Sequence, residues 1–315
     1  MIIKIRQKPR PLLILEALIP RVRKGHPVMH QLKKDLLIRQ KGYMGELKVD
    51  YYLEKLARRS TILHDVCLLV DDRFVQIDTI VITNFAIYCI EVKNMEGELF
   101  FNTTLRQFVQ KSGSRKKAYR YPLNQVEHQK TQLKLWLYNN RLDDIPIYYL
   151  IAISEPSTIV NVEGDENEIA EIVSHAEYIP TMIYEKDKQL KRMKQATISH
   201  QKIGHMILAD CKQYQRNIFQ EYKLKKTDIL PGVECPNCSV LSMVWKRRGW
   251  RCQRCQQWST NAHFSALDDY FLLKNETITN KQARKFLNVP SRHTAYRLLK
   301  NANLVFDSNK NVWKK

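Results

Sequence analysis

Apolar and polar positions alternate most clearly over residues 74–93, FVQIDTIVITNFAIYCIEVK, where β-branched and aromatic side chains recur. Thr83-Asn84-Phe85-Ala86 is the one turn-like interruption, so the pattern predicts an antiparallel hairpin centred between Asn84 and Phe85. In that register Asp78 faces Glu91 and Gln76 faces Lys93, and the period of two puts all four on one face. Ile77, Thr79, Val81, Tyr88, Ile90 and Val92 would fill the other face. Asn84-Phe85 makes a poor type I′ turn, because Phe resists positive φ.

The rest of the chain is read by the same patterning. Gly42-Tyr43-Met44-Gly45-Glu46 is expected to open an amphipathic helix through Leu56, with Leu47, Tyr51, Leu53 and Leu56 inward. A strand is expected over residues 61–70, and a third sheet segment over 99–109. Residues 111–120 read as a basic loop, 122–139 as a helix begun by Pro122, and 145–154 as a buried strand. Beyond these, 163–171 is a loop or short helix, 179–183 an edge strand, and 189–222 mostly helical. Strands, helix and strand after a leading helix fit an α/β fold around a mixed sheet.

Charge adds a partner to this picture. The 315 residues carry a formal charge of +20, which suits an anionic partner, nucleic acid first. Residues 226–315 hold 16 Lys and Arg against 6 acidic residues, so the C-terminal part is the more charge-dense. Residues 1–40 form a basic lead-in of helical spacing, read as packing against the main domain. The early apolar stretch at 12–19 is short, contains Glu16 and is fenced by Pro11 and Pro20, so neither a signal peptide nor a membrane span is expected. The chain reads as cytoplasmic.

Candidate chemistry falls in three places. Opposed carboxylates at Asp78 and Glu91 repel each other across a sheet, and a divalent cation gives them a reason to be there. Cys235-x-x-Cys238 and Cys252-x-x-Cys255 have the spacing of two metal knuckles, which predicts one structural Zn²⁺ in a closed four-thiolate site. The residues between them resemble a zinc-ribbon hairpin with Gly249 at its turn. Lys246, Arg247, Arg248, Trp250 and Arg251 are expected to touch nucleic acid there, through phosphates and base stacking. In the last 37 residues, Ser291 caps a helix whose Arg292, His293, Tyr296, Arg297 and Lys300 point outward, followed by a small wing. This resembles a winged helix-turn-helix, whose second helix enters the major groove. Arg292, His293, Arg297 and Lys300 are its expected contacts.

Gly42-x-x-Gly45-Glu46, Gln76-Ile-Asp78, Ile90-Glu-Val-Lys93-Asn94 with Gly97, and Pro122-x-x-Gln125 together resemble the nuclease-related domain, NERD. That domain belongs to the PD-(D/E)xK nuclease-like superfamily, and the likeness covers roughly residues 42–154. It implies a restriction-endonuclease-like mixed-sheet core flanked by helices. It further implies Glu46, Asp78 and Glu91 as acids for Mg²⁺ or Mn²⁺, Lys93 as catalytic lysine, and Gln125 as a helix-borne polar group of the site. The superfamily's proline before the aspartate is Ile77 here. Glu46, behind glycines expected to open a helix, would also suit a helix-start carboxylate.

The expected organisation is a basic helical lead-in (1–40), the nuclease-like core (41–155), a helical continuation or linker (156–230), a zinc ribbon (231–262) and a winged-helix-like module (263–315). The function expected is metal-dependent cleavage of DNA, targeted by the C-terminal modules. The alternatives are a DNA-binding or regulatory protein whose nuclease-like core lacks turnover, and a binder of single strands or RNA that relies on the Trp-rich ribbon.

Overall fold

A computed structural model of the chain describes residues 1–142, 144–212 and 217–315. It opens with strand β1 (Ile2–Lys4), helices α1 (Arg10–Leu18) and α2 (Met29–Leu53), and strands β2 (Thr61–Val70), β3 (Arg73–Ile82) and β4 (Ile87–Lys93). Next come β5 (Glu98–Asn102), β6 (Gln107–Ser112), β7 (Arg115–Tyr119), α3 (Pro122–Asn139), β8 (Ile147–Ile153) and β9 (Ile159–Glu163). Helix α4 (Glu166–Ala170), β10 (Val173–His175), α5 (Ile179–Arg192), α6 (His200–Asp210) and α7 (Ile218–Glu221) follow. The chain ends with β11 (Met243–Lys246), β12 (Gly249–Cys252), β13 (Trp258–Ser259), α8 (His263–Leu273), β14 (Thr277–Ile278), α9 (Asn280–Leu287), α10 (Arg292–Lys300), β15 (Val305–Asp307) and β16 (Val312–Lys314). Two compact units result, one from Met1–Lys8 with Gln40–Tyr214, the other from Pro9–Arg39 with Gln215–Lys315.

In the first unit a six-stranded sheet runs β1-β2-β3-β4-β8-β10. It is mixed, with β2, β3 and β4 antiparallel and β1, β8 and β10 joined in parallel. One face packs Leu133, Trp136 and Leu137 of α3 and Ile203 and Ile207 of α6; the other packs Val49 and Leu53 of α2 and Ile179, Ile183 and Leu190 of α5. The α/β core flanked by helices is thus present. The hairpin turn spans the expected four residues, with Thr83 N–H donating to Ala86 O at 3.0 Å and Thr83 Oγ1 accepting the N–H groups of Phe85 and Ala86. Four residues spare Phe85 a positive φ, and the β3–β4 register is the one expected.

Several expectations are corrected. Residues 99–109 do not extend the main sheet, because β5 and β6 belong to a second sheet ordered β7-β6-β5-β9. The basic loop at 111–120 is a regular hairpin arm, with β7 paired antiparallel to β6. Residues 179–183 begin helix α5, where Pro180 sits in the first turn and needs no N–H partner. Helix α2 does not begin at Gly42; it runs unbroken through both glycines. At Gly45 a Cβ would lie 2.4 Å from Asn94 Cβ and 2.8 Å from Ser154 Oγ, so the glycine there serves close packing. Residues 1–8 supply a sheet strand, so the lead-in is not one helical piece.

The second unit has one apolar core. Leu15 and Leu18 of α1, Trp250 of the ribbon, Leu267 of α8, Leu299 of α10 and Trp313 of β16 share it. The ribbon and the C-terminal module, expected as separate domains, therefore have a common interior, and residues 9–39 join it. Arg21, wholly buried, ties the parts together: it pairs with Asp269 at 2.8 Å, donates to the carbonyls of Leu230 and Gly232, and covers the Phe286 ring. The ribbon sheet runs β11-β12-β13, and a second small sheet runs β14-β16-β15. Helix α9 ends on Asn288 in the left-handed conformation, and the Ser291 side chain caps α10 by accepting Thr294 N–H. Among the described residues no helix is long and apolar enough to cross a membrane.

Candidate active site and four-cysteine cluster

The site lies where β3 and β4 part. Their ladder runs from Ile82 opposite Ile87 to Thr79 opposite Ile90. One step further, Val92 N–H donates to Asp78 Oδ2 at 2.9 Å, so a side chain takes the place of the backbone partner. Val75 and Ile77 share a core cluster with Ile80 and Ile82, so the strand changes parity at Asp78. The same shift occurs on β2, where Leu63 and Val66 share that cluster and Asp65 between them has φ of 51°. Ile77 therefore does not share a face with Val81, as strict alternation would require. The break frees Asp78 from the pleat and opens the sheet beside it.

Three carboxylates converge on this opening. Burial raises the pKa of Asp78 well above the carboxylate range, and the charges of Glu91 and Glu46 push it further up. Burial also raises Glu46, opposed by Arg6 and reinforced by Asp65, Asp50 and Glu91. Glu91 is 4% exposed; its Oε1 accepts Lys93 Nζ at 2.6 Å and its Oε2 accepts Gln129 Nε2 at 2.8 Å. Lys93 Nζ also donates to Gln125 Oε1 at 3.0 Å. The structure thus brings together Glu46, Asp78, Glu91, Lys93 and Gln125. Gln76, expected opposite Lys93, instead sends its amide to Asp65 Oδ1. Glu46 lies well inside α2, which removes the helix-start reading of this carboxylate.

Two site residues were missed by sequence reasoning. Gln129 is buried, joins Glu91 to the Gln76 carbonyl, and leaves its own Oε1 without a partner among the described residues. The signal was available, since Gln125 and Gln129 stand one turn apart on α3. Arg6, 7% exposed, donates to Glu46 Oε2 at 2.7 Å, to both oxygens of Asp50, and to the Asp78 carbonyl. Hydrogen bonds from His64 and Arg6 outweigh burial and hold Asp50 below its ordinary range. Glu46 and Asp50, also one turn apart, are an acidic pair that calls for a cation between them. Nothing in the local sequence marks Arg6 as that cation.

This acidic group offers hard oxygen donors, although among the described residues only the four cysteines of the second unit bring three or more ligand atoms within 4.8 Å of one another. Its carboxylates disfavour one another's charge, and the cations Arg6 and Lys93 each compensate one edge of the group. In the second unit the four sulfurs of Cys235, Cys238, Cys252 and Cys255 lie within 4.8 Å of one another, and these residues could hold a zinc ion. Cys235–Cys255 and Cys238–Cys252 are 3.6 and 3.7 Å apart, against about 3.8 Å for a tetrahedral Zn–thiolate site.

The ribbon corrects one expected contact. Trp250 is wholly buried, its Nε1 donating to His263 Nδ1 at 3.2 Å, so it cannot stack on a base. It faces inward because β12 packs that side of the ribbon onto the unit's core. Lys246, Arg247, Arg248 and Arg251 are exposed. The turn is Arg247-Arg248, both at positive φ, while Gly249 lies in β12, where Trp258 leaves no room for a Cβ. On α10, Arg292, His293, Tyr296, Arg297 and Lys300 are exposed and Ala295, Leu298 and Leu299 buried, as expected.

Neither the curated proteins nor the solved structures contain a match to this chain. The family models do, and the match begins before Glu46 and ends just past β8, taking in every acid of the opening together with Lys93, Gln125 and Gln129: residues 41–154 match the nuclease-related domain, NERD.

Proposed function

We propose that the first unit cleaves DNA phosphodiester bonds with a divalent cation, Mg²⁺ or Mn²⁺, held by Glu46, Asp78 and Glu91. The observation that carries this reading is the convergence of three carboxylates from three elements beside Lys93, at a break in the sheet. A cation bound there supplies a Lewis acid for the scissile phosphate and a more acidic water. Lys93 offsets charge on the phosphate oxygens and orients the attacking water, while Gln125 holds the lysine and Gln129 holds Glu91. The second unit delivers DNA. Its last elements have the order of a winged helix-turn-helix, in which α10 reads the major groove through Arg292, His293, Arg297 and Lys300. The ribbon adds Lys246, Arg247, Arg248 and Arg251, and its two-arginine turn supports that role, because positive φ at bulky residues is costly and tends to persist at binding sites.

Incubation with linear, nicked, supercoiled and single-stranded DNA, with Mg²⁺, Mn²⁺ or EDTA, tests the chemistry. Cleavage is expected only with metal, and Asp78→Asn, Glu91→Gln and Lys93→Met should each lose at least ~100-fold. Parental cleavage rates in all three variants would remove the assignment. DNA binding without cleavage under any metal would identify a regulatory protein on a nuclease-like core.

A further inference from the structure

We infer that the β6–β7 ribbon of the first unit enters a groove of duplex DNA and holds the duplex at the cleavage site; this rests on the reading of that unit as a DNA nuclease. The ribbon is the excursion of the chain between two site residues, leaving after Lys93 and returning at Gln125, whose side chains meet at 3.0 Å. Its base is fixed. Gly97, four residues beyond Lys93, has φ of 89°, and a Cβ there would lie 2.3 Å from the Lys111 carbonyl oxygen. Gln110 Nε2 donates to Glu96 O at 2.7 Å. From Leu99 to Val126 the sequence contains no acidic residue and six Lys or Arg. Lys111 pairs with Glu98 and Arg106 with Glu127, whereas Arg115, Lys116, Lys117 and Arg120 have no acidic partner among the described residues.

All five residues of β7 are exposed. Charge on an edge strand can serve only to prevent pairing with another sheet, but one or two lysines are enough for that. Here the strand's alternation puts Arg115 and Lys117 on one face and Lys116 on the other. Cations on both faces suit an element flanked by phosphates on both sides, and the major groove of B-DNA admits a two-stranded ribbon. A platform for one strand would gather its cations on a single face beside exposed rings; Tyr119 is exposed beside Lys117 on one face of β7, but Lys116 lies on the other. The tip, Gly113-Ser114, is small enough for the backbone to approach the groove floor.

The test measures binding of a labelled 30-base-pair duplex across a salt series, using the full chain with Asp78→Asn to prevent cleavage. Changing Arg115, Lys116, Lys117 and Arg120 to Gln should weaken binding at least tenfold and lower the salt slope by about 2–4, given about 0.9 per phosphate contact. Removing equal charge from α5 and its end, at Lys188, Lys191, Arg192 and Lys194, should leave both near the parental values. Should the fourfold variant fail to fold, Arg115→Gln with Lys117→Gln, and Lys116→Gln alone, probe the faces separately, and each should lower the slope. Equal losses in the hairpin and α5 variants, loss confined to one face, or loss on single strands alone would overturn the inference. A parent that cuts DNA while every hairpin variant binds normally sinks the ribbon alone; a parent that neither binds nor cuts DNA sinks the nuclease reading as well.

Discussion

Asp78 carries the most consequential charge in the first unit. Burial and the neighbouring Glu91 and Glu46 raise its folded pKa above the unfolded value of about 3.9. Its stabilising contribution is therefore complete below that value and is lost as pH rises through the folded pKa. In EDTA, Asp78→Asn should melt at a higher temperature than the parent at pH 7, since an amide oxygen can still accept Val92 N–H. The gap should close as pH falls toward 4, and a gap independent of pH would show that the carboxylate's charge is not the cause. At this scale hairpin register put Asp78, Glu91 and Lys93 forward, because register is local, while Glu46 and Gln125 came forward only through the resemblance to NERD. The sequence could not mark Arg6, whose partners Glu46, Asp50 and Asp78 are distant in the chain. It misjudged Trp250, since alternation says which residues share a face but not which face a neighbouring element covers.

Elements were legible wherever their period was unambiguous. Helices α3 and α10 and strand β2 fall where patterning put them. Helix α2 was truncated at Gly42, because two glycines weaken a helix signal and only tertiary packing shows why Gly45 is there. Gly45→Ala should gain up to about 1 kcal/mol of helix propensity yet destabilise by about 1–3 kcal/mol net, because Asn94 Cβ must move. Denaturant unfolding measures that balance, and a more stable variant would mean that α2 can shift at little cost. Helix α1 offers a second test through Arg21 in the turn that follows it. Arg21→Met leaves Asp269 unpaired and should cost about 3–5 kcal/mol in the second unit. A loss under 1 kcal/mol would show that Asp269 recovers its solvation.

The division of the whole molecule was the least legible feature: the basic lead-in ends within one residue of the break after Arg39, but no composition shift marks Pro9, and nothing local joins residues 9–39 to residues 217–315. Patterning proposed five successive segments, whereas the chain forms two units that each draw on separated stretches. Because the four cysteines belong to a core shared with α1, α8 and α10, loss of zinc should loosen residues 9–39 and 217–315 together. Hydrogen exchange after chelation should show protection falling across both stretches while β2, β3 and β4 keep theirs. Loss limited to residues 232–260 would show that the ribbon melts alone.

This interleaving also governs the order in which the molecule can be made. Ile14, Leu15 and Leu18 leave the ribosome well before most of the side chains that share their core, which lie at Ile218 and beyond. At about 5–20 residues per second, the wait is on the order of 10–40 s. Throughout it the apolar side of α1 lacks most of its native cover, with only Val22, Met29 and Leu32 of its core already made, while the matched domain is completed in between. Newly made chains should therefore engage a holding chaperone through residues 9–39, and release should follow emergence of α8, α9 and α10.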